Sequence, residues 1–126
     1  MAGNALAEDA RGKIELPPPM REHMMANMRD HLSSLSDIQG ALAADNFDKA
    51  TEIVEARLGF SSLASHNAAH MAPYMPKAMQ AIGTKMHSAA GQFARSAQER
   101  DGKKVMADLA AITVQCVACH AAYRVR

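Results

Sequence analysis

Residues 105–124 read VMADLAAITVQCVACHAAYR, and this stretch decides the fold. Its apolar side chains recur every three or four positions, which is the spacing of one face of an α-helix. Residues three and four apart share a helix face, so Cys116, Cys119 and His120 can all contact one flat object. We therefore predict a helix that packs against a core and holds a bound group near its C-terminal end.

The pentad that begins at Cys116 has the C-x-x-C-H spacing of covalent c-type haem attachment. In that chemistry Cys116 and Cys119 bond the haem vinyl groups and the imidazole of His120 binds the iron. A zinc site and a dithiol redox pair are the alternatives. A zinc site needs a fourth ligand, however, and a reactive dithiol favours a cysteine at a helix N-terminus. The sequence therefore predicts one haem c per chain.

The composition favours an all-α protein, because aromatic residues number only five while alanine and ten methionines supply much of the apolar content. The chain has 126 residues, which fits one domain. The 14 Lys and Arg balance the 13 Asp and Glu without a long run of like charge, so we do not expect nucleic acid as a partner. No apolar stretch approaches about 20 residues, so no membrane span is expected.

Prolines and apolar spacing predict three further helices before the one that carries the cysteines. The predicted spans are Pro19–Ala44, then Phe47 to about His70 with a bend at Gly59, then a helix from about Met75 to Asp101. Four amphipathic helices joined by short links indicate an antiparallel up-down-up-down four-helix bundle over residues 18–126.

Residues 1–17 are expected to form a flexible N-terminal tail. Within this tail, Ala5-Leu6-Ala7 is similar to the small-residue end of a secretory leader, and an ordinary disordered tail is the alternative. Thioether attachment of haem takes place, in bacteria, outside the inner membrane. We therefore expect a periplasmic protein whose leader has been removed.

The C-terminal segment Cys119-His120-Ala121-Ala122-Tyr123-Arg124, at the end of a predicted four-helix domain, resembles the class II c-type cytochromes. These are cytochrome c prime and its low-spin relatives, and the resemblance covers residues 18–126. It implies that Cys116 and Cys119 form the thioethers and that His120 is the proximal iron ligand. Tyr123 is expected to pack at the haem pocket. Arg124 is expected to orient a haem propionate or, alternatively, to contact the last carbonyls of its helix.

The resemblance also limits the choice of the second iron ligand. Cytochrome c prime leaves this position open, whereas its low-spin relatives use a methionine of the first helix. Met28 lies nearest the family's distal position and on the apolar stripe, so we expect it to bind the iron, with Met24 next. The other candidates are Met20, Met25 and, as replacements for methionine, His23 and His31.

The Arg-Gln pair typical of cytochrome c prime is absent from this chain, and Arg21-Glu22 is its closest match. This departure favours the low-spin type. The expected function is therefore electron transfer with redox partner proteins, without catalysis of a substrate reaction. The alternative is a five-coordinate haem that binds small gases such as NO or CO.

Two further expectations concern partners and metals. Members of this family often pair through their first two helices, so a homodimer is one expected assembly. His66 and His70 are four residues apart on one predicted helix face, a spacing that suits zinc or copper, with Met71 and Met75 nearby as soft ligands. The alternative is that both histidines lie at the surface or at a helix end.

Overall fold

The computed structural model describes residues 7–126 and shows an all-helical protein with one short pair of strands. The expected all-α class is thereby confirmed. The first two residues of Ala5-Leu6-Ala7 and the start of the predicted tail lie outside the described residues. The helices are α1 (Pro18–Ala43), α2 (Phe47–Arg57), α3 (Ala68–Met71), α4 (Lys77–Gln98) and α5 (Gly102–Ala122), and the strands are β1 (Gly12–Lys13) and β2 (Tyr123–Arg124).

Local sequence explains where the helices begin. Pro18 starts α1, where the missing N–H of proline costs nothing because the first turn has no acceptor for it. The Asn46 side chain accepts a hydrogen bond from the Lys49 N–H (3.0 Å) and caps α2. The Asp101 side chain does the same for α5 by accepting from the Lys104 N–H at 3.1 Å.

The second predicted helix is shorter than the sequence indicated. We expected it to continue to about His70, but α2 ends at Arg57. Gly59 has an extended backbone (φ −72°, ψ 177°), and the Ser62 hydroxyl donates a hydrogen bond to the Gly59 carbonyl at 2.7 Å. Such short polar side chains compete with the helical pattern. Asn67 then adopts a left-handed conformation (φ 57°), which separates this loop from α3.

A main apolar core is formed by α1, α2, α4 and α5. In this core α2 packs on α1 and α4, and α5 packs on α4, whereas α1 and α5 have little direct contact with each other. The largest apolar side chains that are almost completely buried are Ile38, Val54, Leu58, Phe93, Val105 and Ile112.

The regular apolar spacing of the first predicted helix includes Leu32, but this side chain does not point into the main core. Leu32 is 70% exposed, whereas Ser34 is fully buried. The reason is that the part of α1 around residues 30–34 presents polar groups, not apolar side chains, to α2. Arg57 of α2 binds the Asp30 carboxylate, and the Ser34 hydroxyl donates to the Asp30 carbonyl at 2.7 Å.

Residues 12–16, which we assigned to the flexible tail, are packed in the structure. Strand β1 pairs with β2 in parallel, and the Ile14 N–H donates to the Arg124 carbonyl at 2.8 Å. Ile14 and Leu16 are buried, while Glu15 between them is exposed. This alternation is the period of a strand with one buried face, and it ties the segment to the C-terminal end of α5.

Helix α5 is long and apolar enough to cross a membrane by length and composition alone. No such stretch was expected from the sequence, because polar residues such as Asp108 and Gln115 interrupt the apolar run. Core helices of soluble proteins meet the same criterion, so it is weak evidence for a span. Most of the apolar part of α5 is nevertheless exposed in the structure.

Candidate haem-attachment site

A second apolar cluster forms where α5 ends and α1 begins, and six of the ten methionines belong to it. We call it the methionine cluster. Its buried members are Ile14, Leu16, Met24, Met71 and Met79, and its partly buried members are Met20, Met28, Met75, Cys119, Tyr123 and Val125.

The methionines enter this cluster as two groups of three with the same four-residue spacing. One group lies on a single face of α1 and consists of Met20, Met24 and Met28. The other group, Met71, Met75 and Met79, extends from α3 across a 3-10 turn into α4. Sequence reasoning identified the first group as candidate ligands but did not connect the second group to it. The repeated spacing was the only sequence signal that the two groups have in common.

Both cysteines carry free thiols and lie one helical turn apart near the end of α5. Cys119 packs into the methionine cluster, and the Cys116 thiol donates a weak hydrogen bond to the Ile112 carbonyl at 3.7 Å. Burial raises the pKa of both thiols, and the neighbouring Cys116 raises that of Cys119 further. Reactive dithiols have a lowered pKa, so this environment argues against a dithiol redox pair.

His120 follows the cysteines directly, and its side chain is exposed. Its backbone carbonyl accepts a hydrogen bond from Arg11 at 3.3 Å, which brings the N-terminal segment to the end of α5. Tyr123 is half-buried in the methionine cluster. The imidazole of His120 is therefore accessible beside an apolar cluster.

Arg124 lies in β2, next to this cluster. Its Nε is buried and has no hydrogen-bond partner within residues 7–126, although a carboxylate oxygen of Asp9 lies 3.7 Å away. Its Nη1 donates to the Arg126 carbonyl, not to the last carbonyls of α5. A cationic side chain with a free donor is thus held at the edge of the site.

The candidate distal ligands are separated by the structure into two groups. Met20, Met24 and Met28 all belong to the methionine cluster, and Met24 is the most buried of them at 7% exposure. Met25 is only half-buried and is not part of the cluster. Among the histidine candidates, the Nε2 of His23 is buried and has no hydrogen-bond partner in the described part of the chain.

The remaining histidine candidates occupy a different place in the fold. His66 and His70 do not lie on one helix face, because Asn67 between them has a left-handed backbone; His66 lies in a turn and His70 is exposed on α3. Instead the Nδ1 of His66 lies 3.3 Å from the Nε2 of His31, and the Nε2 of His66 lies 3.4 Å from the Asp30 carboxylate. Arg57 also binds that carboxylate, with an Nη2–Oδ1 distance of 2.6 Å.

Charge and burial set the protonation of this histidine pair. The pKa of His31 is lowered to about 4, first by burial and then by its electrostatic interactions with His66 and His87. The Arg57 guanidinium lowers the pKa of Asp30 through its hydrogen bonds. At neutral pH, His31 is therefore neutral and Asp30 is ionised.

Within residues 7–126, no three His, Cys, Asp or Glu side chains are grouped so that they could hold a metal ion by themselves. Comparison of the chain with protein-family models, curated proteins and solved structures finds no match. The function must therefore be argued from the residues of the site.

Proposed function

We propose that this protein is an electron-transfer c-type cytochrome of the class II kind, with one haem bound covalently through Cys116 and Cys119. His120 is the proximal iron ligand in this proposal, and a methionine of α1 is the distal ligand. The observation that carries the proposal is that the C-x-x-C-H pentad reaches the methionine cluster through Cys119, which is one of the packed side chains.

The chemistry of the site fits a haem, which has a broad apolar face and an edge with two carboxylates. The methionine cluster supplies flexible apolar side chains that can rearrange around a planar group. The free Nε of Arg124 supplies a donor for a carboxylate. Because α1 and α5 have little direct contact, a group between their adjoining ends displaces side chains and leaves the main core in place.

The chain's own residues give this site its properties. Iron would supply the one-electron chemistry when haem is bound, and a methionine thioether as its second protein ligand would raise its reduction potential. Met24 and Met28 lie one turn apart in the same cluster, and Met24 is the more buried. Ile14 and Leu16 from the N-terminal segment exclude water from the same side chains. These features suit electron transfer with redox partner proteins and do not require a substrate pocket.

The arrangement of the long helices is also part of the proposal. We propose that α1, α2, α4 and α5 form an antiparallel up-down-up-down bundle, because each helix packs mainly on its neighbour in the chain. In that topology the end of α5 lies beside the start of α1. The ion pair between Arg126 and Glu22 (3.4 Å) and the presence of Cys119 and Met24 in one cluster support this placement. A periplasmic location follows from the site of haem attachment.

Absorption spectra of methionine variants test the electron-transfer proposal. The variants are Met24→Ala and Met28→Ala, and Met25→Ala is the matched control outside the cluster. We expect the unaltered protein to show a low-spin α band when reduced and to bind carbon monoxide slowly. One of the two cluster variants should lose this band and bind carbon monoxide rapidly, while Met25→Ala keeps both properties.

Two results would contradict the proposed ligand. Rapid carbon monoxide binding by the unaltered ferrous protein, without a low-spin band, would support the five-coordinate gas-binding alternative. A low-spin band that survives in both cluster variants would show that neither Met24 nor Met28 is the second ligand. His23→Gln would then test the buried imidazole of His23 as the ligand.

A further inference from the structure

We propose that His31 and His66 form a second metal site, separate from the haem site, that binds one divalent transition-metal ion of the zinc or copper class. The two histidines come from different parts of the chain, since His31 lies on α1 and His66 lies in the loop between α2 and α3. This site does not depend on the proposed haem function.

The distance between the two ring nitrogens is the first argument. The Nε2 of His31 and the Nδ1 of His66 are 3.3 Å apart. Two nitrogen ligands of one tetrahedral zinc ion, each at about 2.0–2.1 Å from the metal, lie about 3.3–3.4 Å from each other. The ring planes meet at 61° with their centroids 4.8 Å apart, an edge-on arrangement in which the rings do not stack and the two nitrogens remain neighbours.

The second argument is the position of Asp30. Its carboxylate lies 3.4 Å from the Nε2 of His66, the ring nitrogen that does not face His31. Histidines that bind metals usually donate their other ring N–H to a carboxylate, which fixes the tautomer and the ring orientation. Asp30 therefore has the position of a residue that orients His66 as a ligand through Nδ1.

This orienting carboxylate is itself held in place. Arg57 donates to Asp30 through Nε at 3.1 Å and through Nη2 at 2.6 Å, and it binds Asp37 through Nη1 at 2.8 Å. The Asn27 side chain, which is buried, donates to the His66 carbonyl at 2.8 Å and fixes the loop. The two imidazoles are thus preorganised before any ion binds.

The donor set determines which ion suits the site. Neutral imidazole nitrogen is a good ligand for Zn²⁺ and Cu²⁺ and a poor one for Mg²⁺ or Ca²⁺. Within the described residues the ligands are two imidazoles, so water completes the coordination sphere. We therefore expect an exchangeable ion that links α1 to the loop after α2, not a closed structural zinc site.

Isothermal titration of the full chain with zinc chloride tests this proposal. The titration is made on haem-loaded protein and, separately, on a Cys116→Ser/Cys119→Ser variant without haem, so that free thiols do not bind the ion. We expect one equivalent of zinc in both forms. His31→Gln and His66→Gln should each weaken binding at least tenfold, whereas the matched surface control His70→Gln should leave it unchanged.

A further variant and a second measurement separate ligand loss from misfolding. Asp30→Asn should weaken zinc binding about tenfold or more by removing the carboxylate that orients His66. Zinc should raise the Tm of the unaltered chain and of His70→Gln, but not that of His31→Gln. The proposal is wrong if the unaltered chain shows no saturable binding, or if His70→Gln loses as much affinity as His31→Gln. If the haem proposal fails, titration and thermal unfolding of the Cys116→Ser/Cys119→Ser variant, with and without the histidine substitutions, still test the zinc site.

Discussion

Phe93 is the largest of the fully buried side chains in the described part of the chain, and it lies in the main core. Replacing it with alanine removes most of a ring from a packed interior and leaves a cavity. We expect Phe93→Ala to lower the free energy of unfolding by about 3–5 kcal/mol, measured by urea unfolding. Leu32→Ala is the control, because Leu32 is exposed and should change stability by less than about 0.5 kcal/mol. Equal losses in the two variants would contradict the assigned core.

His31 makes stability depend on pH in a defined direction. Its pKa is about 4 in the folded protein, against about 6.5 when unfolded, because burial and the nearby His66, His87 and Arg57 oppose its charge and Asp30 only partly offsets them. As pH falls from 6.5 towards 4, the unfolded chain therefore takes up a proton that the folded chain does not, and the free energy of unfolding falls. Once pH is below both pKa values, the total loss in the free energy of unfolding from His31 is about 3 kcal/mol.

The measurement is urea unfolding of metal-free protein, with a chelator present, at pH 7 and at pH 4.5. The difference in the free energy of unfolding between pH 7 and pH 4.5 should be much smaller in His31→Gln than in the unaltered chain. The exposed control His70→Gln should retain the full difference. An identical pH dependence in the unaltered chain and in His31→Gln would show that His31 is not held neutral by its surroundings.

At the scale of elements, the β1–β2 pair connects the N-terminal segment to the end of α5. Ile14 is buried in the methionine cluster, and its N–H is bonded to β2. We expect Ile14→Ala to cost about 2–4 kcal/mol of stability and to increase trypsin cleavage after Lys13, because the segment loses its main apolar contact. Glu8→Ala is the control, since that side chain is exposed and, unlike Glu15, does not pair with Lys13. If trypsin cleaved the unaltered chain after Lys13 as fast as it cleaves Ile14→Ala, the N-terminal segment would not be packed.

Periodicity and prolines predicted the long helices well, because their boundaries depend on local signals such as Pro18 and Asp101. The end of α2 was missed because no proline marks it. An extended Gly59 and hydroxyls that bond to nearby carbonyls stop the helix, and Asn67 then turns the chain. The packing of residues 12–16, which include strand β1, was missed for a similar reason, since two alternating apolar residues are too short a pattern to stand out.

The whole molecule has two apolar regions, the main core and the methionine cluster at one end. The C-x-x-C-H pentad was readable from sequence because its chemistry depends on a fixed local spacing. The side chains that pack beside the pentad could not be read from the sequence, because Met71 and Met79 come close to Cys119 only in the folded chain. The same holds for His66, whose neighbour in sequence is His70 but whose neighbour in space is His31. Contacts between distant elements carry no local signal.

The central claim is that haem is bound covalently to α5, and extraction of the matured protein with acidified organic solvent tests it most directly. The chain is produced in bacteria that export it and attach c-type haem, beside a Cys116→Ser/Cys119→Ser variant. The account predicts that the unaltered protein is coloured and keeps its pigment in the protein pellet. The variant should leave no pigment in the pellet. A colourless unaltered protein, or pigment that passes entirely into the solvent, would contradict the account.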